Sequence, residues 1–280
     1  MGKWCTRKTV GLAGVGLLVA VGLTFLATVR PTSSQQGPTV SIEDGQAPRA
    51  GTDVTRLWAL GVSDPAVCGF VVDVEYDYDW SVQEPMGCDP DPEGNFDAGL
   101  CNQYYWSDTA AVRVVAGTGS PEGVTGDIPL ADITWCAVGR PGESTDLHVE
   151  VVSLIGCEVT PAEIVPVAVQ DGVNVIGTGT APVGTDTDGD GFGDCPEIYL
   201  ETDPSDNCPD ASWHDAWPLD INMDKVVTMA DVFKYAGRIG STGGPPPSPN
   251  WLKRLDLNTD NFITMADIFM YSGHIGQGCT

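Results

Sequence analysis

An internal repeat near the C-terminus constrains the fold of this chain more than any other feature. The segments LDINMDKVVTMADVFKYAGRIG and LDLNTDNFITMADIFMYSGHIG align without a gap, and a Gly/Pro-rich linker separates them. A repeat of this kind indicates one small structural unit that occurs twice. Pro218 stands just before the first copy and disfavours a regular incoming helix. We therefore expect each unit to be a loop followed by a single exiting helix.

Each repeated loop carries oxygen ligands at the spacing that calcium requires. Calcium takes roughly six to eight oxygens, which a twelve-residue loop supplies from positions 1, 3, 5, 7, 9 and 12. In the first loop these positions are Asp220, Asn222, Asp224, the Val226 carbonyl, Thr228 and Asp231; in the second they are Asp256, Asn258, Asp260, the Phe262 carbonyl, Thr264 and Asp267. The alternative is a pair of Asx turns that hold no ion.

The two loops depart from the usual calcium loop at two positions, 6 and 12, and keep its pattern at position 8. Position 6, which normally needs Gly for a left-handed turn, is Lys225 in the first loop and Asn261 in the second. Position 12 is Asp instead of Glu, so closure around an ion requires a tighter loop. Position 8 is apolar in both loops, Val227 and Ile263, and this predicts a short β-bridge between them.

A third Asp-rich loop precedes the repeat. Acids occupy positions 1, 3, 5, 9 and 12, and Gly191 occupies position 6. The predicted ligands are Asp186, Asp188, Asp190, the Phe192 carbonyl, Asp194 and Glu197. With the following TDPSDNCPD, this segment resembles the thrombospondin type 3 calcium repeat, and that resemblance implies a stiff spacer.

The duplicated half-EF-hand, its linker and the final apolar helices resemble a type I dockerin of cellulosome-like systems. The resemblance implies a cohesin-like protein domain as partner, met by loop positions 10 and 11. Those positions are Met229, Ala230, Met265 and Ala266. The alternative is that both methionines only pack the helix pair. Identical residues in the two repeats are what a pseudo-twofold binding surface would show.

Residues 40–178 have the pattern of an all-β sandwich. In FVVDVEYD, from Phe70 to Asp77, apolar and acidic residues alternate, which is typical of a half-buried strand. Similar runs recur at 111–115, 133–138, 147–152 and 173–176, with no strong helical period between them. The strands GFVVDVEYD and DIPLADITW and the closing QDGVNVIG resemble a cohesin-like or carbohydrate-binding-module sandwich, which implies a protein or polysaccharide ligand.

Two groups of residues in this sandwich suggest further chemistry. The aromatic residues Tyr104, Tyr105 and Trp106 can stack on sugar rings, although such residues more often pack in a core or loop. The acids of the strand, with Asp73 first, resemble paired glycosidase carboxylates, but alternate acids on a strand usually form a solvated face. The three histidines are dispersed, and no activated nucleophile is evident, so we expect no catalysis.

The N-terminus predicts export. Basic residues precede an apolar run from Thr9 to Val29, the charge order of a signal peptide or an anchor with its C-terminal part outside. The run is long enough to span a membrane, which favours an uncleaved anchor. The chain has 39 acidic and 13 basic residues, a formal charge of −26, which excludes nucleic acid as a partner.

Nine cysteines agree with an oxidising environment. Cys88 and Cys101 flank a Pro/Gly/Asp loop and are expected to bridge. Dockerin-like modules have adjacent ends, which implies Cys208 to Cys279, with Cys195 to Cys208 as the local alternative. The pairing of Cys68, Cys136, Cys157 and Cys195 stays open at this point.

Together these features predict five segments: 1–30 a signal peptide or transmembrane helix, 31–39 a linker, 40–178 the sandwich, 179–212 a linker with the calcium repeat, and 213–280 a small all-α dockerin-like EF-hand module. The expected function is an exported calcium-dependent adaptor. The alternatives are a carbohydrate-binding protein of a polysaccharide-degrading system and, last, a glycoside hydrolase fragment.

Overall fold

The structure is a computed structural model that describes residues 37–77, 83–105, 109–158, 160–165, 167–178, 184–208, 216–244 and 246–279. Its compact unit runs from Gln36 to Thr280. The apolar run from Thr9 to Val29, the predicted signal peptide or anchor, lies outside the described residues. Within the described residues, no helix is both long enough and apolar enough to cross a membrane.

Ten strands form the N-terminal part of the described chain. They are β1 (Thr39–Ile42), β2 (Gly45–Pro48), β3 (Thr52–Asp77), β4 (Gln83–Asp89), β5 (Ala98–Tyr105), β6 (Thr109–Gly117), β7 (Val124–Ala137), β8 (Ser144–Gly156), β9 (Ala168–Gln170) and β10 (Gly172–Gly177). Every run that the sequence predicts as a strand lies in one of them, except that Val138 falls just past β7. The predicted β class is confirmed.

The long strand β3 connects two layers of sheet. Its first half, up to Val62, pairs with β1 and β7, and these pair in turn with β9 and β4. Its second half, from Val67, pairs with β6 and β8, which continue to β5 and β10. Register shifts against β7 between Leu57 and Val67 mark the place where the strand leaves one layer for the other.

The main apolar core of the sandwich lies between the layers. Phe70, Val72, Val74 and Tyr76 of β3 are all buried, which confirms the inward face predicted from the alternation. The outward face is not simply solvated. Asp73 is only 3% exposed because Arg113 of β6 covers it, with Nε 2.7 Å from the Asp73 carboxylate. The expectation of a solvated acid is therefore wrong for Asp73, which forms an ion pair.

Helices are short in the C-terminal part. They are α1 (Asp194–Leu200), α2 (Met229–Val232) and α3 (Met265–Phe269), with 3-10 turns at Phe233–Tyr235 and Lys253–Leu255. Both exit helices begin with a capping box, in which Thr228 and Thr264 accept from the backbone two residues later. Glycines with positive φ follow each one, so the described helices end within two turns. The expected small all-α module is thus mostly loop and turn.

The two repeats are cross-connected. Val226 of the first loop forms a β-bridge with Gly278, at the end of the second repeat. Phe262 of the second loop bridges Thr242, just after the first repeat. The predicted bridge between the two loops themselves is absent from the described residues. Each loop is instead held by the chain that leaves the other repeat, and Val227 and Ile263 are buried beneath these contacts.

The C-terminal part packs directly on the sandwich. One buried apolar cluster contains Cys136 and Val138 from the end of β7 together with Phe192, Tyr199 and Leu255. A disulfide joins Cys136 to Cys195 in α1. The guanidinium of Arg49 stacks 5.4 Å from the centre of the Tyr199 ring. The Asp-rich segment, which its resemblance implies to be a spacer, is therefore covalently attached to the sandwich.

Candidate calcium loops and docking face

The loop from Asp186 to Glu197 gathers its carboxylates around one point. Single carboxylate oxygens of Asp186, Asp188 and Asp190 lie within 4.8 Å of one another. The backbone wraps around these acids: Gly191 N–H donates to Asp186 Oδ2 at 3.2 Å, and Phe192 N–H donates to Asp190 Oδ1 at 2.7 Å. This arrangement directs the remaining carboxylate oxygens inwards.

Three of those inward oxygens are buried and have no hydrogen-bond partner among the described residues. They are Asp188 Oδ2, Asp190 Oδ2 and Glu197 Oε2. Burial, together with the neighbouring carboxylates, raises the pKa of Asp190 to about 7 and that of Glu197 to about 10. An unpartnered buried carboxylate is costly unless a proton or a cation compensates it. The donor set is all oxygen, the kind that calcium prefers, so these residues fit that ion.

The two repeated loops share one hydrogen-bond pattern. In the first, Lys225 N–H donates to Asp220 Oδ2 at 2.7 Å and Thr228 N–H donates to Asp231 Oδ2 at 2.8 Å. The second loop repeats both bonds at equivalent positions, at 2.9 and 2.7 Å. The middle ligands Asn222, Asp224, Asn258 and Asp260 accept from backbone N–H groups two residues further on. These bonds wrap the backbone of each repeated loop around its predicted side-chain ligands, although among the described residues only Asp186, Asp188 and Asp190 have carboxylate oxygens that all lie within 4.8 Å of one another.

The left-handed residues are at positions 4 and 6 of every loop. Lys225 has φ 72° and Asn261 has φ 73°, as the sequence predicts for position 6. Position 4 is also left-handed, with Met223 at φ 56° and Thr259 at φ 57°. The Asp-rich loop has glycine at both positions, so only the repeated loops place side chains in this strained region.

The end positions of the repeated loops are buried carboxylates. Asp231, Asp256 and Asp267 have no exposed surface, and Asp220 is 1% exposed. Burial raises the pKa of Asp220 and of Asp267, and it raises the pKa of Asp256 to about 7. The charged forms of Asp220, Asp256 and Asp267 are therefore disfavoured without a cation.

A contact that the sequence does not reveal connects two of the loops. Tyr199 Oη, on α1, donates to Asp256 Oδ2 at 2.7 Å, although 57 residues separate them. The Asp-rich loop ends in α1, and Asp256 is position 1 of the second loop. Tyr199 is thus a positioning residue for the second loop. No local pattern in the sequence indicates this contact, because it depends on tertiary packing.

The predicted docking residues lie on the surface. Met229 is 51% exposed and Met265 is 47% exposed, and Ala230 and Ala266 are exposed beside them. The alternative in which the methionines only pack the helix pair does not agree with this exposure. Further exposed apolar pairs occur at equivalent repeat positions, and sequence reasoning missed them: Val226 and Phe262, Phe233 and Phe269, Ile239 and Ile275. We call these residues with the four predicted ones the repeat face.

The candidate sugar-binding aromatics are only partly described. Tyr104 lies at the end of β5 and is 38% exposed. The guanidinium of Arg113 is 5.1 Å from the centre of its ring and covers one face. The side chain of Tyr105 and all of Trp106 lie outside the described residues. The described part of this cluster therefore offers one aromatic ring, which is already stacked on a cation.

Four disulfides are present among the described residues. Cys88 pairs with Cys101 and Cys208 with Cys279, the two pairs expected from the sequence. Cys195 pairs with Cys136, so the local alternative with Cys208 is not adopted. Cys68 pairs with Cys157 and ties β3 to the end of β8. Cys5 lies outside the described residues.

Comparison with known proteins gives a structural likeness only. The sequence matches no protein-family model and no curated protein sequence. Among solved structures, a non-cellulosomal cohesin from the archaeon Archaeoglobus fulgidus is 14% identical, with a TM-score of 0.38 over 50% of this chain and 91% of that one. A type I cohesin from Pseudobacteroides cellulosolvens is 18% identical, with a TM-score of 0.40 over 52% of this chain and 96% of that one. At these values the likeness carries no argument about function.

Proposed function

We propose that this chain is an exported, non-catalytic adaptor that uses calcium to build a C-terminal docking module next to its own β-sandwich. The observation that carries the proposal is the set of buried carboxylates in three loops, with unpartnered oxygens on Asp188, Asp190 and Glu197. The setting we propose is a polysaccharide-associated surface system, as the dockerin resemblance implies.

Calcium is the ion that these loops fit best. All three loops offer carboxylate and backbone carbonyl oxygens, and the two repeated loops add an amide and a hydroxyl. No predicted ligand is a thiol or an imidazole, and the one cysteine within a loop, Cys195, is disulfide-bonded. Hard oxygen ligands favour calcium or magnesium. A loop that supplies roughly six protein oxygens favours calcium, because magnesium requires a near-ideal octahedron and usually keeps several water ligands. When bound, the ion would neutralise acids such as Asp256 and Asp267, whose burial otherwise opposes their charged forms.

Export is supported by the covalent structure. Four disulfides link distant parts of the described chain, with sequence separations up to 89. Such crosslinks persist in oxidising environments and are rare in the reducing cytosol. We therefore place residues 37–279 outside the cell or on its surface.

Docking is supported by the repeat face. A soluble domain exposes scattered apolar residues, but each apolar residue of the repeat face has an exposed counterpart in the other repeat. Met229 and Phe233 are four residues apart and lie on the same side of the exit segment. Methionine and phenylalanine supply adaptable apolar contact for a protein partner, which we propose to be a cohesin-like domain.

Calcium titration of the full chain, followed by partner capture, tests this function. We expect three calcium equivalents by calorimetry and calcium-dependent capture of a sandwich-containing exported protein. The double variant Met229→Glu/Met265→Glu should bind calcium as before and lose the partner. No calcium uptake, or capture that a chelator leaves unchanged, would refute the proposal.

A further inference from the structure

We infer that the partner of the repeat face is the β-sandwich of a second copy of this chain, so that the protein assembles head to tail. This inference rests on the proposed docking function and names its partner. It is carried by two complementary surfaces, one on each part of the chain, that are both exposed in the folded molecule.

The first surface is basic on only one of its two repeats. Beside Met229 and Phe233, the first repeat carries Lys225, Lys234 and Arg238. The equivalent positions of the second repeat are Asn261, Met270 and His274. Lys225 and Lys234 are exposed. In a chain with 13 basic and 39 acidic residues, three cations around one apolar patch are a local reversal of charge. The first repeat therefore fits an acidic, partly apolar surface.

The second surface is the outer face of the layer formed by β5, β6, the second half of β3 and β8. Leu100, Val115 and Val71 stand side by side across three of these strands. Leu100 is 49% exposed, and Val152 of the neighbouring β8 is 44% exposed. Together these side chains form an apolar row on the outside of the sandwich.

Carboxylates flank that apolar row. Glu75 lies on the same outward face of β3, and Glu150 is exposed on β8, opposite Asp73 in the register. Asp73 itself is neutralised by Arg113. His148, which stands opposite Glu75, is ion-paired with Asp171. The uncompensated charge of the flank therefore comes from Glu75 and Glu150, and its sign is opposite to that of Lys234. Charge of opposite sign around matched apolar patches gives orientation and specificity to an interface.

The two surfaces do not meet within one molecule. The C-terminal part contacts its own sandwich through α1, where Cys195 is disulfide-bonded to Cys136 and Tyr199 packs under Arg49. Phe233 remains 68% exposed in that arrangement, and Leu100 remains 49% exposed. A second copy can therefore cover both. Because the two patches differ, the contact is heterologous and generates rings or open chains of molecules.

Sedimentation velocity of the full chain, in mild detergent, tests this assembly. With calcium we expect larger species as concentration rises, and a chelator should return them to the monomer. Lys234→Glu and Glu150→Lys should each weaken association about tenfold. The combined variant should recover it. These single changes shift the net charge in opposite directions, so a general charge effect cannot weaken both.

A mixing experiment defines the two surfaces. Phe233→Asp disrupts the first-repeat half of the repeat face and Leu100→Asp disrupts the apolar row, so each variant alone should stay monomeric. Their mixture should form a dimer that grows no further, because each variant retains one intact surface. Phe269→Asp is the matched control in the second repeat and should assemble nearly as the parent does.

The possible failures are distinguishable. A calcium-loaded chain that stays monomeric at all concentrations, but captures another exported protein through Met229 and Met265, overturns this inference and leaves the docking function intact. A chain that takes up no calcium overturns both. Association that survives Lys234→Glu, Glu150→Lys and Phe233→Asp overturns the assignment of the surfaces.

Discussion

The sandwich and the C-terminal part differ in the kind of side chain that each of them buries. The sandwich buries apolar side chains of two sheet layers, and Asp73, the one acid that is buried among the described side chains of β3, is paired with Arg113. The C-terminal part buries Asp231, Asp256 and Asp267, with no comparable basic partner for any of them among the described residues. A core of the first kind needs only the chain itself, whereas buried carboxylates of the second kind need a proton or a cation to compensate them.

Removal of calcium should show the largest difference between the sandwich and the C-terminal part. We expect a chelator to abolish amide-exchange protection in 216–279 and to leave β3 and β6 protected. At roughly 1 mM calcium and a dissociation constant near 1 μM, each site contributes about 4 kcal/mol through linkage. Hydrogen exchange of the full chain measures both parts at once. Equal protection in both parts after chelation would contradict the contrast.

The pH dependence of stability and of calcium affinity should reveal the buried carboxylate of the Asp-rich loop. The pKa of Glu197 is raised to about 10 in the ion-free fold, from 4.5. Between these values the unfolded chain has lost a proton that the fold retains, so stability in chelator should fall as pH rises. Calcium must displace that proton, so affinity should rise about tenfold per pH unit above neutrality.

Calcium isotherms over a pH series measure this linkage. The variant Glu197→Gln is the control, because it cannot release the proton, and its affinity should be lower and nearly flat with pH. A flat profile for the parent chain would show that Glu197 is already ionised before the ion binds.

A smaller effect is expected at the hydrogen bond between Tyr199 and Asp256, which connects the Asp-rich loop to the second repeated loop. Tyr199→Phe removes the hydroxyl that donates to Asp256 and keeps the ring that packs against Arg49. Loss of a group that orients a metal ligand typically lowers affinity about 10–100-fold. Calorimetry should show this loss at the second loop and no change at the first, which serves as the internal control. Equal weakening of both loops would indicate a general loss of packing.

The smallest expected effect compares the repeated loops with each other. Lys225 is left-handed at φ 72°, where Asn261 of the second loop is more tolerant. Lys225→Gly should therefore strengthen the first site by about 1 kcal/mol, while Asn261→Gly should change the second site less. Calorimetry on both variants checks the difference. If Asn261→Gly raised the calcium affinity of its site as much as Lys225→Gly, backbone strain at Lys225 would not explain the increase.

Local patterns account for much of what the sequence predicts. The alternation from Phe70 to Tyr76 identifies a buried strand face because its period is a property of the strand alone. The calcium-loop spacing brings Asp220 and Asp231 together because both lie within one short segment. Thr228 is recognisable as a cap for the same reason.

Contacts between distant segments were beyond those patterns. The division of β3 between two layers depends on which strands pair with each half. The pairing of Cys136 with Cys195 depends on the C-terminal part folding back on the sandwich. The burial of Asp73 depends on Arg113, which lies 40 residues away. No local period encodes such proximity, so the predicted spacer proved to be an attached element.

The pair of disulfides around α1 has a mechanical consequence. If load enters at the repeat face while the sandwich is held elsewhere, the path between them runs through Cys195 and then Cys208, which is closed onto Cys279. Loss of calcium under tension would release only the short tether between Cys195 and Cys208 and part of the closed ring. At about 3.5 Å per residue, that tether is about 45 Å long when fully extended, and this length is the upper limit of its extension. The molecule would then lengthen under force and bind its partner more weakly, while its C-terminal part stays covalently attached to the sandwich.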